Sequence, residues 1–567
     1  MNLFLSYKHL FPEEKAFSIE EIKEKLSIVN KDTLFKIAIV LISREIDESA
    51  KNIILNFFNN NLSLLKDELI KKVENLNKIE NTEYFLLNLE TSFQLFEIIY
   101  SVEQHKPIID LTDSQIEVLL FKVYLSISEY LTELQVKNNE QYKNDTLKIL
   151  FTLSFAQNDF YNIDKIDSFI AQVYKAKLLF DFLEEYDCNL LEEFLKDFGL
   201  VDKYSYIKHT VSLCMLVLKE KKKEHKILKI ENTLEKLINR MTVNLVEKES
   251  DIDFRLIRDR PLYKDPEKEN DYWLIYDLFL IDKIYTSIYF MLQGIYLKTN
   301  ITENKRSKIE DRYRTFFTTD ISEKRILYTV LNYIFGDKNF YKKSGKEIEE
   351  CYNFKGGSDF YIRKNNTIYL FESKDILIKG DVKRSYNYDI ILEKIKDAFI
   401  EKKGIPQLLK NIEKIIKNEI PYDSFKNTNK LKIYPIIITH NRQLDVVGLN
   451  NILNIYFEKE LLKYDNINNI KPITLINIDA FIVYQDYLKN YKHFDFEILL
   501  NKYNKQINKK IKKEDTIDLN DYIQKYTNNT EPFSLFISKK TEKKLGKRKY
   551  PKILNNILKD VFYLLNS

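Results

Sequence analysis

The stretch that most constrains this chain is Gly356-Gly-Ser-Asp-Phe-Tyr-Ile-Arg-Lys-Asn-Asn-Thr-Ile-Tyr-Leu-Phe-Glu-Ser-Lys-Asp375. Two runs rich in aromatic and β-branched residues, Phe360 to Lys364 and Thr367 to Lys374, flank Asn365-Asn366. Asparagine tolerates the left-handed backbone that a two-residue hairpin loop requires, so the stretch predicts a β-hairpin. Pairing Lys364 with Thr367 and counting back sets Asp359 opposite Glu372. Cross-strand partners share a face, and Lys374, two residues past Glu372, shares it as well. Thr367-Ile-Tyr-Leu-Phe is almost continuously apolar, as a central strand covered on both faces should be. A charged group at the end of such a strand needs a compensating partner.

Two neighbouring carboxylates repel unless something positive lies between them. Oxygen-only ligands favour Mg²⁺ or Mn²⁺ over softer metals. A lysine beside such an ion can orient a water molecule or help deprotonate it. The bland alternative is a solvated strand face on which Glu372 and Lys374 form an ordinary salt bridge.

Asp359, twelve intervening residues, and then Glu372-Ser-Lys374 resemble the signature of the PD-(D/E)xK, or restriction-endonuclease-like, nucleases. Ser358 stands where that signature has its proline. The resemblance covers residues from about 305 to 500. It implies an α/β domain with a mixed central sheet and flanking helices, acting as a metal-dependent phosphodiesterase. Asp359, Glu372 and the Ser373 carbonyl would hold Mg²⁺ (or Mn²⁺), and Lys374 would position or activate the attacking water. The family usually carries a glutamate on a helix before the hairpin. Glu323 matches it, at the head of an apolar stripe with Leu327, Val330 and Ile334, and Glu310 is the second candidate. Ser322 is expected to cap that helix and Gly336 to end it. Many members also place a glutamine at the start of a helix after the ExK strand, where this chain has Gln407. Lys410 lies one turn along the same face.

Other segments of this half suit the same expectation. Asp375 to Ser385 is irregular and basic, so Lys379, Lys383 and Arg384 are candidates for phosphate contact. Tyr388 to Lys402 reads as a helix and Leu431 to His440 as a strand, with Pro435 marking its start or a bulge. His440 and Asn441 end that strand near the expected site, where they read either as DNA contacts or as structural residues, the latter being the commoner role of a strand-end histidine. Ile473 to Ile478 is another short strand.

Net charge is only +4 over 567 residues, so there is no global electrostatic case for nucleic acid. The distribution says more. Phe536 to Lys552 carries eight basic residues and one acid, among them Lys547, Arg548 and Lys549. Lys502 to Lys513 adds six lysines and no acid, which leaves the remaining chain net negative. Positive charge concentrated in the third that holds the hairpin suits a phosphate-binding face. Solvated helix faces are the alternative for either run.

Residues 1–300 read as an all-α region for recognition, partner contact or homo-oligomerisation. Apolar residues recur three and four apart over Ile19–Ile28, Asp32–Leu41, Ala50–Leu76, Glu83–Ser101 and Asp113–Leu134. The pattern continues over Asp145–Ala156, Lys165–Asp187, Leu190–Asp197, Tyr206–Lys219 and Ile227–Lys248. No glycine precedes Gly199, so glycine-dependent phosphate loops are unavailable there, and no P-loop or GxGxxG occurs anywhere. Lys221 to Lys226 reads as a solvated helix end. A boundary falls near residue 300, with residues 301–567 as the nuclease-type domain, and Trp273 is expected to anchor one domain on the next. No apolar run of 18 residues exists and no signal peptide is recognisable. Cys188, Cys214 and Cys351 are too scattered for zinc or disulfides and read as small apolar fillers, which suits a reducing cytoplasm. The expectation is a cytoplasmic DNA endonuclease whose architecture resembles bacterial restriction or phage-defence effectors. The alternatives are an RNase, or a catalytically inactive nucleic-acid-binding or scaffold protein that retains the fold.

Overall fold

The structure, a computed structural model, describes residues 3–44, 48–108, 111–160, 164–219, 226–230, 234–244, 254–300, 306–464, 469–490, 495–512, 516, 518–545 and 550–563. It is mostly helical with a five-stranded mixed sheet in its C-terminal part. Contacts divide the chain into two compact units. One is formed by Met1–Gln141 and Ser212–Ile281, the other by Tyr142–Val211 and Asp282–Ser567. The helices of 142–211 and 282–300 therefore group with the sheet, whereas the sequence reading set its boundary near 300.

The first unit is built around the helix Leu89–Ser101, which is buried on all sides, as a helix at the centre of a helical core must be. Lys31–Ser43 and Asp113–Asn139 pack against it. Thr112 caps the latter with a reciprocal Gln115 contact. The unit is not all-α. Ile227–Lys229, Asp271–Leu274 and Leu262–Lys264 form an antiparallel three-stranded sheet in that order. The helix expected over Ile227–Lys248 thus begins as a strand, and its described helical part is Glu235–Met241. One predicted helix, Ala50–Leu76, is two, Ala50–Phe57 and Ser63–Glu80. Trp273 lies on the middle strand and anchors its own unit. Its indole N–H donates to Asp265 Oδ2 (3.1 Å), and the Lys36 ammonium sits over its ring. Of the cysteines only Cys214 is a buried filler, Cys188 and Cys351 being exposed.

The second unit holds the sheet. Its strands are β1 (Tyr341–Ser344), β2 (Phe360–Lys364), β3 (Thr367–Lys374), β4 (Lys432–Thr439) and β5 (Thr474–Asn477). The order is β5-β4-β3-β2-β1. β1, β2 and β3 pair antiparallel, while β3, β4 and β5 pair parallel. Asn365 takes the left-handed conformation (φ 55°) in the two-residue loop, and Lys364 pairs with Thr367 as the sequence implied. Parallel strands need crossovers, and helices supply them: Tyr388–Ile395, continued to Ile400, and Ile405–Ile416 between β3 and β4, and Leu449–Leu461 between β4 and β5.

Both faces of β3 are covered. Ile368 and Leu370 join Tyr361, Ile433, Ile437 and the crossover helices in one aliphatic core. Tyr369 and Phe371 meet an aromatic wall of Tyr434, Phe335, Phe481 and Phe496. Pro435 sits inside β4, not at its start. Ile433 exchanges hydrogen bonds with Asn469 and Lys471, so in an extended strand the nitrogen of Pro435 faces that same side. Regular pairing with β5 begins only at Ile436, and the missing N–H falls before it.

Helices Thr146–Gln157 and Lys165–Tyr186 close onto the ends of these strands. Phe151 and Phe155 enter the aliphatic core. Lys175 pairs with Asp479 (2.8 Å) and Lys383 with Asp159. The Arg442 guanidinium grips Asp282 with both terminal nitrogens, and its carbonyl accepts from Asn158. Removing one member of a buried pair strands the other charge. Arg442→Ala is therefore expected to destabilise the second unit by about 3–5 kcal/mol in urea denaturation, and Arg442→Met combined with Asp282→Leu by clearly less.

Candidate functional site

In an antiparallel pair, residues directly opposite alternate between hydrogen-bonded and non-hydrogen-bonded positions, and side chains approach most closely at the latter. Counting from the Lys364–Thr367 closure, Phe360 opposite Phe371 is a hydrogen-bonded position. Asp359 and Glu372 come one step beyond the last paired residues, where continued counting gives a non-hydrogen-bonded position at the open end of the hairpin. The register thus puts the two carboxylates on one face at close approach. Lys374 joins them, its Nζ donating to Glu372 Oε1 at 2.7 Å. Glu372 is 1% exposed and Lys374 8%, which excludes a solvated strand face.

Backbone groups complete the arrangement. The Ser373 N–H donates to Asp359 Oδ2 (2.6 Å). In a strand a residue's C=O points to the same side as its N–H, so the Ser373 carbonyl also faces Asp359. The Asp359 carbonyl accepts from Gly345 N–H (2.7 Å). A Cβ at Gly345 would lie 3.2 Å from the Asp359 backbone and from the Tyr328 hydroxyl, so this tight approach favours glycine.

Glu323 reaches the same cluster from Phe316–Leu327, which winds as a π-helix and runs on into the α-helix Tyr328–Ile334. The Tyr328 N–H donates to the Glu323 carbonyl, and its hydroxyl donates to Glu323 Oε1 at 2.6 Å. The sequence reading began this helix at Ser322 as its cap. Ser322 is instead inside the helical run and fully buried, its Oγ donating to Asp375 Oδ2 (2.5 Å). π-turns interrupt regular winding and concentrate at functional sites.

Three carboxyl groups and one ammonium leave the cluster under-compensated. Burial pushes Glu372 up to about 8, with Asp359 the next cause, although Lys374 pulls the other way. Burial and then Asp359 raise Glu323 to about 7. Asp359 is raised as well, by burial, against the pull of Lys374 and the Ser373 N–H. Glu372 Oε2 is buried without a hydrogen-bond partner. An orphaned carboxylate oxygen, a second carboxylate and a carbonyl turned the same way are oxygen donors of the type that hard divalent cations take, with water completing the shell. No group of three or more His, Cys, Asp or Glu at metal-holding spacing occurs among the described residues.

The other sequence-predicted residues fall in different places. Gln407 Oε1 accepts from the Gly404 N–H (2.9 Å) and so closes a helix cap. A Cβ at Gly404 would lie 3.4 Å from the Ile437 side chain, and Ile437 is the β4 partner of Glu372, so this helix starts one strand away from the site. Lys379 and Lys410 are exposed. Lys383 is not presented to a ligand, because it is buried against Asp159. Arg384 is partly buried on the helix Gly380–Arg384. Glu310 pairs with Arg306 on an exposed helix face. Lys547, Arg548 and Lys549 lie outside the described residues, as do Lys513 and residues 221–225.

Two features escaped the sequence. Tyr328 lies five residues beyond Glu323, a spacing that the α-helical period does not bring together. On the back of β3, Ser373 Oγ and His440 Nε2 share a hydrogen bond of 2.8 Å. His440 is buried, which pushes its imidazole down to about 4 and keeps it neutral. Family models, curated proteins and solved structures compared with this chain give no match.

A carboxyl group whose folded value lies above its unfolded one disfavours folding once it ionises. For Glu372 that penalty is absent below 4.5 and grows as the pH rises towards 8. Without divalent cations the melting temperature should fall between about pH 5 and pH 8. Glu372→Gln should flatten that fall, recovering on the order of 1–3 kcal/mol at the alkaline end in calorimetric melts.

Proposed function

We propose that this protein is a divalent-metal-dependent nuclease of the PD-(D/E)xK type that hydrolyses phosphodiester bonds, with DNA as its substrate. The observation that carries the reading is the pair of Asp359 and buried Glu372 just past the last paired residues of the hairpin, close enough for one charge to act on the other, with Lys374 in contact with Glu372. Burying these charges is costly, and function is the usual reason for a site that tolerates the cost. Asp359, Glu372 and the Ser373 carbonyl would hold Mg²⁺ or Mn²⁺. When bound, such an ion lowers the pKa of a coordinated water and offsets the charge that develops on a phosphoryl group.

The chain's own residues do the rest. Lys374 leaves its contact with Glu372 Oε1 and, as an ammonium, donates the hydrogen bond that holds the attacking water in place. Glu323, held by Tyr328, stands ready to orient a second water, and its raised value suits exchange of a proton near neutral pH. Among the described residues expected to contact phosphate, Lys379 and Lys410 are the exposed ones, suited to backbone phosphates. The helical first unit would supply recognition, a partner surface or self-association, as in the restriction and phage-defence effectors that this architecture resembles. No helix among the described residues is long and apolar enough to cross a membrane, and a cytoplasmic setting suits such an enzyme.

One observation favours a second reading. The Lys374–Glu372 contact is closed, and a permanently closed pair would leave a nucleic-acid-binding or scaffold protein with a retained nuclease fold. The two readings separate in one experiment, with supercoiled plasmid, single-stranded DNA and RNA each incubated with Mg²⁺, Mn²⁺ or EDTA. Metal-dependent cutting is expected, named by polymer, and should fall at least about 10³-fold in Asp359→Ala and Lys374→Ala while binding persists. Wild-type rates in either variant would refute the site assignment. Calorimetry should show Mg²⁺ binding to the wild type and none to Asp359→Ala. Salt-dependent nucleic-acid binding with neither metal uptake nor turnover would establish the scaffold.

A further inference from the structure

Strand alternation sends Glu372 and Lys374 to the face of the site and Ser373 and Asp375 to the opposite side. Both back-facing side chains are held by specific partners. Ser373 Oγ is 2.8 Å from His440 Nε2, and Ser322 Oγ donates to Asp375 Oδ2 at 2.5 Å. Both partners are buried, Ser322 fully and His440 at 7% exposure. They come from different elements, His440 from the residue after β4 and Ser322 from the π-helix that carries Glu323.

Each contact meets the residue best placed to move the site. Ser373 is the residue whose N–H holds Asp359 Oδ2 and whose carbonyl faces the same side. A shift of its peptide would carry Asp359 and the carbonyl with it. Asp375 follows Lys374, and Ser322 precedes Glu323, so their bond fixes the distance between the strand end that bears the lysine and the helical turn that bears the third carboxylate. We infer that His440 and Ser322 are positioning residues, which clamp the Glu372–Asp375 segment from behind and so set the spacing of Asp359, the Ser373 carbonyl, Lys374 and Glu323. This rests on the nuclease reading and adds to it two residues that touch neither substrate nor metal. Groups that orient ligands from outside commonly change affinity or activity by about 10–100-fold.

The test uses the full chain with supercoiled plasmid DNA and Mg²⁺. Ser373→Ala and His440→Phe should each lower kcat by about 10–100-fold with KM for DNA unchanged. The double variant should be no slower than the worse single one, because both changes remove the same bond. His440→Gln, which keeps a hydrogen-bonding group, should recover most of the loss. Ser322→Ala should slow the wild type but add nothing in a Glu323→Gln background. Ser373→Ala removes a single oxygen, so it stays informative if His440→Phe fails to fold. Unchanged kcat in Ser373→Ala, or fully additive losses, would overturn the inference while Asp359→Ala still abolishes cutting. A wild type that neither cuts plasmid nor binds Mg²⁺ overturns the nuclease reading, and the inference with it.

Discussion

The second unit depends on holding two carboxylates against each other out of water. Asp359 and Glu372 lie just past the last paired residues of two antiparallel strands, close enough for one charge to act on the other, and Lys374 is in contact with Glu372. Such a pair stays in place only if the backbone beneath it cannot relax. β3 provides that stiffness. It lies between an antiparallel neighbour and a parallel one, with aliphatic side chains over one face and aromatic rings over the other. A segment fixed on four sides can hold charges that a surface hairpin would release to solvent.

The same requirement accounts for the discontinuity of the unit. The open end of β3 and the ends of β4 and β5 need cover, and helices from 142–211 supply it although the chain then leaves for the first unit and returns at residue 282. Lys383, Arg442 and Lys175 all lie near those strand ends. Their partners Asp159, Asp282 and Asp479 neutralise them. Basic residues near a candidate nuclease site are therefore not automatically phosphate ligands. In this protein several are fasteners, whereas Lys379 and Lys410 are exposed.

How much of this was legible in the sequence follows from the range of each interaction. The hairpin was readable to the residue, because an Asn-Asn turn and two β-branched runs are local signals. Its register then delivered the Asp359–Glu372–Lys374 face, since cross-strand position follows from counting. The strands β4 and β5 and the crossover helices after β3 were legible for the same reason, whereas β1 and the helix Gly380–Arg384 were not. The Ile227 and Trp273 strands were not, because a three-residue strand in a small sheet takes its identity from its partners and not from its own period. Nor was the π-winding around Glu323, where apolar spacing matched an α-helix closely enough to hide an i→i+5 contact with Tyr328. Burial of Lys383 depended on Asp159, 224 residues earlier, a distance over which sequence pattern is silent.

The turn sets chemistry at a distance. Side chains on a strand alternate with a period of two, so a slip of one residue exchanges every inward and outward position. In β3 such a slip would put Ser373 and Asp375 where Glu372 and Lys374 stand, and would offer Lys374 to His440 and the apolar Ile376 to Ser322. Neither face could then be satisfied, since one partner set is a neutral imidazole and a hydroxyl and the other is an ensemble of carboxylates. The aromatic wall and the aliphatic core would be exchanged as well. Three constraints thus select one register: the left-handed Asn365 that closes the loop, the unlike cores on the two faces, and the unlike polar partners at the open end. The loop and the site are at opposite ends of the hairpin, yet the loop's closure at Lys364–Thr367 decides which residues meet at the other end.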